Sequence, residues 1–153
     1  MSKHELSAED RAFRAGFEAC RCAPAAFDHR AHIRLAYTYL AEDDADTAQV
    51  RMRTALLAFL RHHGISVTKY HETLTRAWIL AVRHFMQITP AATSADAFLA
   101  ANPVMLDSKI MLTHYSAQVL FSDDARGRFV EPDLQPIPRH KAGPAGRQPP
   151  PGR

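Results

Sequence analysis

The side chains in this chain that could do chemistry are mostly imidazoles. Of its nine histidines, four fall on or beside apolar helical stripes: His29 and His32 in HRAHIRLAYTYLAE, His71 in KYHETLTRAWILAVRHF and His114 in LTHYS. A buried imidazole has two ring nitrogens to satisfy, and a buried polar group left unpartnered costs ~1–3 kcal/mol. A lone one is commonly tied to a carbonyl or a tyrosine hydroxyl. Three separate helical stretches, each with an imidazole turned inward, predict instead that the rings meet in one internal site.

Such a set suits a metal ion. His29 and His32, at i and i+3, face one site together, much as the i, i+4 pair of HExxH does. His29 and His71 fall in first turns, beside the positive end of the helix dipole, and neutral imidazole is the form that binds metal. The expectation is a single transition-metal ion (iron, copper, zinc or nickel) held by His29, His32, His71 and His114. Glu72 or Asp107 would add a carboxylate. His71 and Glu72 are the candidate catalytic residues, although adjacent helical residues point apart and do not easily share one proton. Arg34, Lys69 and Tyr115 are candidate substrate contacts, chosen for their nearness in sequence to the histidines. A plainer reading stands beside each: His71 as a satisfied core residue, Glu72 as an i, i+4 partner of Arg76 worth ~0.3–0.5 kcal/mol, and His62 and His63 as favourable charges at a helix C-terminus.

Several chemistries lack support. No Glu-x-x-His occurs, so the ferritin-like two-metal pattern is missing. There is no GxSxG elbow, no CxxC pair and no glycine cluster of the kind that cradles phosphate. Cys20 and Cys22 would lie about 200° apart on a helix, a poor geometry for a local disulfide, so reduced and partly buried thiols are expected. The pI near 9.1 invites a nucleic-acid reading, but Arg139, Lys141, Arg147 and Arg153 carry the excess. Without them the net +3 becomes −1, and no basic stripe remains to track phosphates. No apolar run is long enough to span a membrane and the N-terminus lacks a signal-like stretch, so a cytoplasmic protein is expected.

The elements that must position the histidines follow from stripes and punctuation. Leu6–Arg21 reads as a helix capped by Ser7 with Asp10 in its first turn. Pro24 ends it, and Asp28 caps a second helix, His29–Glu42. The acidic run Glu42–Asp46 opens a third that stops at Gly64, a left-handed terminator. Thr68 caps the fourth, with His71 in its first turn and apolar residues on several faces, which makes it the central element. Ser94 starts a short helix to Ala101. Asn102-Pro103 starts a last one, to about Ser122, with a weak point at Asp107. Asp123–Pro138 reads as an extended strap held by Phe129, Val130, Leu134 and Ile137. Residues 139–153 have little to bury and read as disordered.

The blocks FDHRAHIRLAYTYL, KYHETLTRAW, LTHYS and FVEPDLQPIP resemble those of a family of small bacterial all-helical proteins without an assigned function. The resemblance covers about Phe13–Pro138, implies one helical domain, and brings no catalytic residues with it. The reading is therefore an all-α bundle of five or six helices over 1–138, with a tail over 139–153. Its leading functional expectation is a small-molecule enzyme with a mononuclear metal. The alternative is a non-catalytic binding or partner-interaction protein whose buried histidines are structural.

Overall fold

The computed structural model describes residues 3–138; the tail expected to be disordered, 139–153, lies outside them. The described chain is all-α, with no strand. Its α-helices are α1 (Ala8–Glu18), α2 (His29–Leu40), α3 (Ala45–His62), α4 (Glu72–Ile88), α5 (Ala95–Ala101), α6 (Ala117–Leu120) and α7 (Asp123–Gly127). Short 3-10 turns lie at Pro24–Ala26, Val67–Lys69, Pro103–Leu106 and Ser108–Thr113. Among these residues no helix is long and apolar enough to cross a membrane.

Side-chain caps set most of the helix starts. Ser7 and Asp10 form a reciprocal capping box on α1, satisfying two amides that have no intrahelical partner. The Asp10 carboxylate is buried (1% exposed) and does more than cap. It also accepts the Ala95 amide at the start of α5 (2.9 Å) and Arg34 Nε from α2 (3.2 Å). Burial pushes this carboxyl up, but the Ala95 and Ser7 amides and Arg34 outweigh it and leave it below the ordinary aspartate range. One short acid thus joins three helices. Asp28 caps α2 and Asp44 caps α3. Gly64, at φ +68°, ends α3 in the left-handed region that glycine enters without penalty. Cys20 lies just past α1 at φ +60°, so the helix ends short of the expected Arg21. Both cysteines are free and half-buried.

The start of α4 differs from the expected one. Ser66 Oγ takes the Thr68 amide and holds Val67–Lys69 in a 3-10 turn, so Thr68 does not cap. The cap is His71, whose Nδ1 accepts the Leu74 amide at 3.0 Å. An imidazole nitrogen here fills the place that an aspartate or serine oxygen usually takes. As expected, α4 is the central element: Ala77, Trp78, Ile79, Leu80, Ala81 and Val82 are all buried, against α2, α3 and α7.

The expected last helix is not continuous. Between Asn102 and Ser122 the chain forms two 3-10 turns and the single-turn α6. Asp107 is extended and takes the Lys109 amide; Ser116 is extended and takes the Val119 amide. Ser122 does the same for Ala125 and opens α7, a turn of helix where an extended strap was expected. Short oxygen-bearing side chains compete with the helix for backbone amides, and here they win three times. The rest of the strap docks as read. Thr73 on α4 donates its hydroxyl to Arg128 O (2.7 Å) and accepts the Val130 amide (3.0 Å). Ile137 is buried, whereas the Leu134 side chain is 54% exposed and packs nothing down.

Candidate functional site

Three of the four expected imidazoles share a wall. A 330 Å³ cavity opens between α2, α3 and the start of α4, lined by His29, His32 and His71. Its apolar side is Phe27, Leu56, Phe59, Leu60 and Leu74, and its other polar groups are Asp28, Lys69, Tyr70 and Thr75. Packed rings build the apolar side: Phe59 stacks on Phe17 at 4.8 Å and lies tilted against Phe27 at 5.5 Å. The size falls in the lower range of small-molecule sites, which run about 300–1,000 Å³.

The rings are not equally free. His71 uses both nitrogens: Nδ1 accepts the Leu74 amide, and Nε2–H donates to Leu120 O at 2.7 Å. Desolvation lowers its pKa, more than the Leu120 bond raises it, so the ring is neutral and acts as donor on one side and acceptor on the other. His29 donates Nε2–H to Met105 O (2.9 Å) and meets Trp78 edge-on at 4.8 Å. The His32 amide donates to Asp28 O (3.0 Å), but its ring makes no hydrogen bond to the other described residues and contacts Phe27 edge-on at 5.6 Å. Desolvation, reinforced by His29, lowers its pKa to about 4.

The other expected site residues go elsewhere. His114 is not on this cavity; its Nδ1–H donates to Gln135 O (2.8 Å), and its own carbonyl takes the Leu134 amide, so it pins the strap. Glu72 does not pair with Arg76. It accepts Arg53 from α3 and the Tyr70 hydroxyl at 2.6 Å. Burial pushes its carboxyl up, but Arg53 and Tyr70 outweigh it and leave it below the usual glutamate range. Arg76 instead reaches Asp46. Arg34 pairs with Asp10 and lies over the Phe13 ring at 4.6 Å, away from the cavity. Tyr115 is fully buried and donates to Val130 O at 2.6 Å. Asp107 is committed to its turn. Of the three substrate contacts expected, only Lys69 lines the cavity. Among the described residues, no three His, Cys, Asp or Glu side chains come together as a group able to hold a metal.

His4 precedes every helical stripe, so periodicity assigns it no place. His4 donates Nε2–H to Met86 O (2.7 Å) and accepts the Ala92 amide on Nδ1 (3.1 Å), tying the N-terminal segment to the end of α4. It borders a larger cavity of 680 Å³ with Asp43, Asp44 and Arg83. The acids there are engaged, Asp43 with Arg51 and Asp44 with its cap.

Compared with protein-family models, curated proteins and solved structures, the chain matches none.

Two predictions follow from the ring geometry. His71→Ala removes a cap, worth ~0.5–2 kcal/mol, and strands a buried carbonyl, costing ~1–3 kcal/mol. Denaturant titration should show a loss of about 2–4 kcal/mol, with His71→Asn, which keeps a cap acceptor, losing less. The pH dependence has a definite sign. His32 and His71 have folded pKa values below the ordinary 6.5, so the unfolded chain binds more protons. Their contribution is fully present above about pH 6.5 and is lost as pH falls toward about 4. Unfolding midpoints measured across that window should fall with acid, and His32→Gln should flatten the fall; a flat wild-type profile would contradict the assignment.

Proposed function

We propose that this chain is a non-catalytic small-molecule-binding protein of the cytoplasm, with the cavity between α2, α3 and α4 as its site. The observation that carries this reading is that the imidazoles with the best claim to chemistry are engaged in holding backbone. His71 has no free nitrogen, His29 has one nitrogen committed, and His114 serves the strap. Binding a metal at His71 would break either the α4 cap or the bond to Leu120 O. What is left on the lining is an apolar wall with a few polar groups, chief among them a neutral His32 and the exposed Lys69 beside Asp28, Tyr70 and Thr75, which is the usual make-up of a binding pocket. Nothing in this arrangement calls for nucleic acid or a membrane. The likeness to small bacterial helical proteins belongs to the same proposal.

A second reading, a mononuclear metal-dependent enzyme acting on a small molecule, draws on one observation: His29 and His32 line the same cavity one turn apart. Elemental analysis of the purified protein separates the two. The binding reading predicts substoichiometric metal and an unfolding midpoint that added zinc, iron, copper or nickel leaves in place. A bound metal at a hundredfold excess over its dissociation constant would stabilise the fold by ~2.7 kcal/mol. Stoichiometric metal lost on His32→Ala or His71→Ala would establish the enzyme-type centre instead.

A further inference from the structure

We infer, building on the binding reading above, that the cavity takes a small amphipathic monocarboxylate, its hydrocarbon part against Phe27, Leu56 and Phe59 and its carboxylate at Lys69 and His32. The volume of 330 Å³ has room for about ten water-sized groups at ~30 Å³ each. That matches a medium-chain fatty acid or an aryl-alkanoic acid. The aromatic and leucine side chains make one wall apolar, which sets the body of the ligand.

The polar side sets the head group. Lys69 ends the 3-10 turn at the cavity's edge, is exposed, and makes no ion pair or side-chain hydrogen bond with the other described residues. His32 has both ring nitrogens free of hydrogen bonds to those residues; neutral imidazole offers one donor, which suits a carboxylate oxygen. Asp28 is the sole carboxylate on the lining among the described residues, and its Oδ1 is occupied by the Ala31 amide at 2.9 Å. Lys69 is the one lysine or arginine among the described residues of the lining, so one carboxylate finds a counter-charge there and a second would not. Among the described residues no arginine lines the cavity, so they offer no planar bidentate fork of the kind that favours phosphate. Tyr70 and Glu72 hold each other and leave the head group to Lys69 and His32.

Titration with octanoate and with 1-octanol, followed by the methyl resonances of Leu56, Leu60 and Leu74, tests this directly. Octanoate should shift those three methyls and bind about tenfold tighter than octanol, the factor expected of one charge-assisted hydrogen bond. Lys69→Met should abolish that preference. Lys69 is exposed, so the variant should keep its fold; unchanged methyl dispersion checks this. If octanol shifts the methyls as strongly as octanoate, or Lys69→Met keeps the preference, the carboxylate assignment is overturned while the binding reading stands. If neither compound moves those methyls, both are overturned.

Discussion

The fold depends on how it satisfies backbone groups that its short helices leave without partners. Every helix end exposes carbonyls or amides that have no partner within the helix, and a chain with this many short helices has many ends. Imidazoles meet a notable share of that need. His4 donates to Met86 O near the end of α4, His29 to Met105 O in a 3-10 turn, and His71 to Leu120 O at the end of α6. His114 donates to Gln135 O in the strap. In each case the ring and the carbonyl are distant in sequence, so the bond is also a tertiary tie. His4 and His71 serve twice, because the second nitrogen accepts an amide. A neutral imidazole is suited to this: it is one of the few side chains that offers a donor and an acceptor on opposite sides of a rigid ring.

That role shapes the cavity. His29 and His71 line it, yet their ring nitrogens are bonded to Met105 O and Leu120 O, which are not on its lining. His32 lies on the same wall without such a tie. The α4 start is therefore both a structural joint and one edge of a pocket. The carboxylates follow the same logic. Asp10 unites α1, α2 and α5, and Glu72 ties Tyr70 to Arg53 on α3. Polar side chains that a catalytic reading would recruit are instead spent on joints between elements.

Much of the frame was legible in the sequence. The caps at Ser7, Asp28 and Ser94, the stop at Gly64 and the central place of α4 all follow from local rules that depend on near neighbours. The inward direction of His29 was legible too, since helical periodicity reports it; His71 is buried as expected, but from an extended cap position and not from the helical face. What periodicity does not report is the ring's partner. Met105, Leu120 and Gln135 carbonyls are generic backbone, and no side chain marks them in the sequence. For the same reason a shared cavity could be expected for His29, His32 and His71 but was wrongly extended to His114. The segment after Asn102 has an apolar spacing that suits a continuous helix, and it breaks because Asp107, Ser116 and Ser122 each divert an amide. His71 as a cap was missed because histidine is seldom found in that position.

The most direct test of these imidazole ties is the tautomer of His71, read from long-range proton–nitrogen NMR correlations of the histidine rings at neutral pH. A ring that donates to Leu120 O and accepts from Leu74 N must be neutral and carry its proton on Nε2, with no change when zinc is added. A protonated His71, a proton on Nδ1, or a ring nitrogen that shifts on stoichiometric zinc would contradict the account.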